Sequence, residues 1–405
     1  MNLEGYSDQF IDYYNYYKKY KDIYGENTVV LYQNGSFFEI YSYQKDDNTF
    51  LGNDIYHIGD LINISITRKD KSKPLSKSNI LMAGIPTHKK TKNASLLLNE
   101  NYHVIIVEQI TAPPKPTRDV TEILSPGIKI SEYDDNQNID NILMSVFIEK
   151  SVSNKRDIFS AGISLMNVST GKNYFTNVIT SYEDNDFTFN EIKRYISYYN
   201  PVEVLFHIRD FNMTKDEIIK RFDLMNINVY LNFFTDKSFL QKKYQNELLQ
   251  KIFKFNSQYS PIEKLNLELK EEVLLSYIYL LNYIYGHKNT LIDNIDVPES
   301  IEDSKYLVLS NDSVRQLNVC DNYSFYKGSN KDLLSLLNKC VSIIGKRTYK
   351  NRLLYPCIDE NIINKRYTIV DILINHNLYN PIRNNFNKIN DYEKSIRNMG
   401  LNLYS

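Results

Sequence analysis

The scarcest features of this sequence exclude the most. It holds three cysteines, Cys320, Cys340 and Cys357, an odd number with no Cys-x-x-Cys spacing. That argues against a disulfide framework and a structural zinc site, and predicts reduced core thiols in an intracellular, reducing compartment. No uninterrupted apolar run approaches the roughly 18 residues that a membrane helix needs. The nearest, Val273–Tyr285, is interrupted by Ser276 and Asn282 and reads as a buried helix. The N-terminus Met1-Asn2-Leu3-Glu4-Gly5 lacks the basic-then-apolar pattern of a secretion signal, so the protein is expected not to be secreted. Charge of one sign is also missing. A net charge of −1 over 405 residues rules out a general nucleic-acid glue. No Gly-x-x-x-x-Gly-Lys-Ser/Thr phosphate loop occurs: Gly171-Lys172 and Gly345-Lys346 lack the earlier glycine and the following hydroxyl residue. The sequence therefore predicts no ATP site and no enzyme activity of its own.

Among the features present, the stretch from Gln33 to Tyr41 is the most informative. Asn34-Gly35 is a tight-turn signal between two runs of β-formers, Val29–Tyr32 and Phe37–Tyr41. Side chains alternate along a strand, so Phe38 and Ile40 share one face, expected to be core. Phe37, Glu39 and Tyr41 share the other. An unpaired carboxylate in a core is costly, so Phe37 and Glu39 are expected to look outward. A projecting Phe can wedge between DNA base steps, and a neighbouring carboxylate can accept a hydrogen bond from a base edge. The plainer alternative is an ordinary amphipathic strand.

Charge is uneven locally. Arg68, Lys69, Lys71, Lys73, Lys77, Lys89, Lys90 and Lys92 face a single acid, Asp70, between positions 68 and 92. Such a run is either a solvated loop or a set of phosphate contacts flanking the wedge. The DNA-backbone candidates are Arg68, Lys69, Lys71, Lys73, Lys89 and Lys90.

Several motifs follow in order. Gly35-Ser36-Phe37-Phe38-Glu39-Ile40-Tyr41 resembles the Gly-Asp-Phe-Tyr-Glu-Leu-Phe mismatch-reading strand of the MutS family. Next come Asn63–Arg68 and Met82-Ala83-Gly84-Ile85-Pro86-Thr87-His88, the latter close to that family's Met-Ala-Gly-Ile-Pro-Tyr-His. Val107-Glu108-Gln109-Ile110 and Leu124-Ser125-Pro126-Gly127-Ile128 complete the series. The resemblance implies DNA mismatch recognition. In it, Phe37 stacks on a mispaired or unpaired base from the minor groove, Glu39 bonds that base, and Gly35, Met82, Gly84, Pro86 and His88 are structural. Ser36, Thr87 and Thr111 depart from the family pattern, but none of them touches the Phe-x-Glu pair.

The expected fold class is α/β plus all-α. Residues 1–118 read as a mixed α/β mismatch-binding domain and 119–141 as a linker, with Pro113, Pro114 and Pro116 breaking regular structure. Residues 142–250 read as a second α/β domain. The resemblance implies an RNase H-like connector there, matched by the order of strand, turn, strand, helix and Asn200-Pro201-Val202-Glu203. RNase H-type nucleases cluster carboxylates around two metals. Ile158–Val168 carries none, and Asn167 stands where an acid would be needed, so no nuclease activity is expected. Residues 255–405 read as a helical core (lever) domain, incomplete in the family's terms. Expected there are a helix over Leu265–Tyr285 capped by Gly286, a short strand over Tyr306–Ser310, and helices over Asp312–Val319, Leu333–Leu337 and Gly345–Leu354. Ser342-Ile343-Ile344-Gly345-Lys346-Arg347-Thr348, with Arg352 and Pro356, resembles the family's core marker; the resemblance implies a mostly structural segment, and the alternative is that Arg347 and Arg352 contact DNA. Asp391-Tyr392-Glu393-Lys394 resembles the run before the family's clamp.

The resemblance covers only the first part of the family's architecture. The clamp and the ATPase domain, which holds ATP and Mg in the family, are not among these residues, so no cofactor is expected here. The sequence reads as a piece of a longer protein or as a truncated relative. The expected partners are duplex DNA with mismatches or small loops, a second MutS-family subunit in a homo- or heterodimer, and repair proteins on the connector; no membrane partner is expected. The alternative is a protein-interaction and signal-transmission scaffold without DNA binding of its own.

Overall fold

The structure, a computed structural model, describes residues 3–112, 116–128, 141–301 (apart from 154, 181–183, 185 and 226), 305–320 and 332–401. The chain divides into two compact units, residues 1–137 and 138–405. Among the described residues no helix is long and apolar enough to cross a membrane.

The first unit contains helices α1 (Asp8–Tyr24), α2 (Ile55–Ile62) and α3 (Lys90–Asn99). Its strands are β1 (Thr28–Asn34), β2 (Phe37–Gln44), β3 (Phe50–Gly52), β4 (Thr67–Arg68), β5 (Leu81–Pro86), β6 (His103–Gln109) and β7 (Arg118–Leu124). They form one sheet in the order β4-β5-β2-β1-β6-β7, with β3 on β2. Only the β1–β6 pair is parallel. Ser7 caps α1 by accepting from the Phe10 N–H, and Gly25, at φ 94°, ends it. Phe10, Tyr13, Tyr17 and Tyr20, spaced three and four apart, are the buried stripe of α1. Tyr13 meets Tyr32 and Tyr41 edge-on, so α1 covers that face of the sheet. On the opposite face the Lys90 ammonium of α3 lies over the Phe38 ring.

The second unit is built on β8 (Ile142–Ser153), β9 (Arg156–Asn167), β10 (Asn173–Ile179), β11 (Glu203–Arg209), β12 (Asn228–Leu231) and β13 (Glu299–Ser300). Their order is β12-β11-β8-β9-β10-β13. β8, β9 and β10 form an antiparallel meander, and β11 and β12 run parallel to β8. Helices α4 (Phe187–Tyr199) and α5 (Lys215–Phe222) cover one face, where Ala161, Ile163 and Leu165 meet Phe189, Ile192 and Phe222. After α6 (Lys242–Phe253) and α7 (Pro261–Lys264), α8 (Glu271–His287) covers the other face. It packs Leu275 and Tyr279 on Phe147 and brings Ser276 within 2.6 Å of Ser164. The remaining helices are α9 (Asn311–Gln316), α10 (Leu333–Leu337), α11 (Ile343–Leu354), α12 (Glu360–Asn375), α13 (Tyr379–Phe386) and α14 (Tyr392–Gly400).

Several expectations are corrected. The boundary at 118 falls at the start of β7, which pairs with β6, so the first sheet extends into the expected linker. Residues 129–140 of that linker, Tyr133–Asp140 included, lie outside the described residues, as do Pro113 and Pro114. The division at 250–255 does not mark a change in packing, because α8 is the cover of the second sheet. Gly286 lies inside α8, which ends at His287 with Lys288 as its cap. Tyr306–Ser310 is not a strand: among the described residues it has one bridge, Tyr306 to Cys357, and no neighbouring strand to pair with. The cysteines are not all core residues: Cys320 is buried, whereas Cys340 and Cys357 are only half-buried.

Two residues fix α8 to its sheet. A Cβ on Gly162 would stand 2.1 Å from the backbone carbon and oxygen of Glu272, so the helix backbone rests where a side chain would be. His207 of β11 stacks on Tyr279 at 3.8 Å between ring centres, and burial pushes its pKa down to about 3. We expect Gly162→Ala to cost about 3 kcal/mol or more, because backbone has to move, read as a lower midpoint in urea unfolding. His207 is protonated below about 6.5 only once unfolded, so its contribution to stability is complete above that pH and is lost progressively between about 6.5 and 3. Acid unfolding of His207→Leu should show a shallower loss across that window.

Candidate nucleic-acid interface

The β1–β2 connection sets the site. The two-residue loop is Gly35-Ser36, one residue later than the sequence suggested, since Asn34 already pairs with Phe37. Gly35 takes φ 59°, a left-handed conformation that costs glycine little. The Thr87 N–H donates to the Ser36 carbonyl at 3.0 Å. Gln33 fastens the hairpin to β6 and β7: its Oε1 accepts from the Gln109 N–H at 2.8 Å, and its carbonyl accepts from Arg118 Nε at 2.8 Å.

Phe37 is the first residue of β2 and is 44% exposed. It pairs with Pro86 on β5, and its ring lies across Gly84, where a Cβ would stand 3.6 Å from Phe37 Cδ1. The missing side chain leaves the ring a flat seat. Glu39 and Tyr41 follow on the same face, and Glu39 does not look outward as expected: it is 9% exposed, and Tyr41 is 1%. Alternation alone assumed that this face was wet, whereas α1 lies over its far end. The buried carboxylate is supplied with donors. Asn34 Nδ2 donates to Glu39 Oε2 at 3.0 Å, and the Tyr41 hydroxyl donates to the same oxygen. Neither Asn34 nor Tyr41 stood out as a site residue in the sequence; a hydroxyl two positions from a carboxylate on one strand face is the signal that was available.

The basic segment is an organised loop. Asn79, buried, donates through Nδ2 to the carbonyls of Asp70, Lys73 and Pro74 at 2.9 to 3.0 Å. Asp70 accepts from the Ser72 hydroxyl and N–H, bonds that hold its carboxyl below the usual range. Arg68, Lys69, Lys71, Lys73 and Lys89 are exposed. Lys73 pairs with Asp70 at 3.3 Å, Arg68 donates to the Lys71 carbonyl, and Lys69 donates to Gln9 Oε1 at 2.9 Å. Lys90 does not belong with them. It is largely covered, pairs with Glu108 at 3.2 Å and lies over Phe38, so it serves the fold. His88 is exposed at the end of the β5 turn, and Met82 and Pro86 are half-buried on β5. Among the described residues no three side chains come together that could hold a metal ion.

In the second unit Arg347 is nearly buried and donates to both oxygens of Asp391 at 2.7 and 2.6 Å, and to Glu393 at 2.7 Å. Lys172 completes the cluster at 2.6 Å from Glu393. Burial pushes the Asp391 carboxyl up, but Arg347 outweighs it and holds the group below its ordinary value. These contacts tie α11 to α14 and give Arg347 a structural role. Arg352 is exposed.

Residues 12–133 match the family model of MutS domain I, and residues 312–403 that of MutS domain III. The chain is 29% identical over 425 residues to L359, a mutS homologue of Acanthamoeba polyphaga mimivirus named as a DNA mismatch repair protein; the match covers 96% of this chain and 37% of that protein. It is 25% identical over 389 residues to the DNA mismatch repair protein MutS of Caldanaerobacter subterraneus, covering 93% and 39%. With MutS of Borreliella burgdorferi it shares 25% identity over 394 residues, covering 96% and 40%. The chain thus spans about two fifths of the length of these relatives. Two matched domains, and alignments running through nearly all of the sequence, lead to one conclusion: the chain belongs to the MutS family.

Proposed function

We propose that the first unit recognises mispaired or unpaired sites in double-stranded DNA, with Phe37 as the wedge. The observation that carries this reading is the contrast along one strand face. Phe37 stands exposed on the Gly84 seat, while Glu39 and Tyr41 behind it are buried and hydrogen-bonded. A lesion is weakly stacked, so kinking it costs less than kinking paired duplex. A smooth bend of 40–90° costs on the order of 1–6 kcal/mol, and a base stacked on an aromatic ring returns about 1–3 kcal/mol. A difference of about 1.4 kcal/mol is already tenfold in affinity. Glu39 accepts from the base edge, and Arg68, Lys71, Lys73 and Lys89 meet phosphates. In this reading the region binds and does not catalyse, and ATP and Mg chemistry is assigned to none of its residues.

The strand order β12-β11-β8-β9-β10 supports reading the second sheet as an RNase H-like connector, followed by a helical core domain. Pairing with a second MutS-family subunit and contact with repair proteins belong to the same proposal. A scaffold role for the second unit is the second reading. It is favoured by α12 and α13, where no residue is buried and Ile362, Ile369, Ile374 and Phe386 are exposed.

Fluorescence anisotropy on matched duplex, a G·T mismatch and a single unpaired T, at low and moderate salt, tests the proposal. Phe37→Ala should erase a tenfold or larger lesion preference and leave the salt-dependent background intact; equal loss on all three duplexes counts against the wedge. Replacing Lys71, Lys73 and Lys89 with Ala should do the reverse. It should weaken all binding and reduce the salt slope by about 0.9 for each lost phosphate contact. An unchanged slope would make the segment a solvated loop.

A further inference from the structure

The Glu39 carboxylate ends a chain of hydrogen bonds for which wedge insertion alone has no use. The Tyr41 hydroxyl donates to Glu39 Oε2, Gln9 Nε2 lies 2.7 Å from the Tyr41 oxygen, and Lys69 Nζ lies 2.9 Å from Gln9 Oε1. The polarity of this chain follows from its first member. An ammonium only donates, so the Gln9 carbonyl oxygen faces Lys69 and the Gln9 amide N–H faces Tyr41. The Tyr41 oxygen accepts that bond, and its single proton is left for Glu39. Burial, and then the bond to Glu39 and its charge, raise the Tyr41 pKa far above the ordinary tyrosine value, so the hydroxyl remains a donor. Asn34 adds a second donor to the same carboxylate oxygen at 3.0 Å. Both bonds fall on Oε2, and among the described residues Oε1 accepts none.

We propose that Tyr41 is a positioning residue for base recognition. With Asn34 it holds Glu39 by Oε2 and reserves Oε1 as the acceptor for a nucleobase N–H beside Phe37. The inference rests on the recognition reading above and adds the device that orients its carboxylate. Lys69 acts at a distance, by fixing which way round Gln9 is held. The Tyr41 ring packs edge-on to Tyr13 at 5.2 Å, so Tyr41→Phe removes the hydroxyl and keeps the packing.

The test uses the full chain, labelled with carbon-13 at glutamate side-chain carboxyls, with the Glu39 resonance identified by its loss in Glu39→Gln. In DNA-free protein Tyr41→Phe should move that resonance. On G·T and unpaired-T duplexes it should lower the lesion-over-matched affinity ratio about three- to tenfold, the worth of one hydrogen bond, with matched-duplex affinity and salt slope unchanged. In a Glu39→Ala background, Tyr41→Phe should change the ratio no further. An unmoved Glu39 resonance, an undiminished ratio in Tyr41→Phe, or an added loss in the Glu39→Ala background overturns the inference while leaving the wedge intact. A wild-type chain with no lesion preference defeats the recognition reading itself, and this inference with it.

Discussion

A strand covered on both faces has only its ends to offer a partner. That constraint governs the first unit. β2 lies inside its sheet between β1 and β5, with α1 over one face and α3 reaching the other. A residue in the middle of such a strand is buried whichever way it points. Phe37 escapes because it is the first residue after a two-residue loop, and because Gly84, the partner of Glu39 on β5, has no side chain to compete for the same surface. The exposed ring is therefore a product of the fold's geometry at a strand end, and it is held there by the same loop that closes the sheet.

The same constraint explains the polar chemistry beneath the ring. A carboxylate placed two residues into a covered strand has to be given donors, because leaving it bare costs several kcal/mol. Asn34 comes from the adjoining strand end, and Tyr41 from two positions further along β2. A solvated glutamate at the same place would sample many rotamers. This one is held by two bonds to a single oxygen, so the entropy of ordering it is spent on folding and not on binding.

The sequence revealed the elements more readily than their neighbours. β1, β2, β9 and α11 were all legible, because β-branched and aromatic runs, turn residues and three-and-four spacing are local signals. Burial of Glu39 and Tyr41 was not, since alternation tells which residues share a face and not what covers it. Lys90 shows the same limit: its partner Glu108 is 18 positions away in the sequence, on β6. Tyr306–Ser310 had strand-like composition, but a strand needs a neighbour, and that is a fact about the fold. Arg347 illustrates the opposite case, where a local motif and a distant acidic run each carried half of one ion cluster.

The seat of α8 on β9 bears on how this protein can be taken apart. Division by composition, with sheet residues on one side of position 250 and helical residues on the other, would separate Gly162 from the backbone that rests on it. The sheet would then present Phe147, Ser164 and the flat strip at Gly162 to water, and α8 would bring its own buried residues, Leu275, Tyr277 and Tyr279 among them, into solution without a partner. A piece cut there would be two complementary sticky faces, prone to self-association. A dissection of the second unit that leaves this packing whole has to keep residues 142–287 on a single chain.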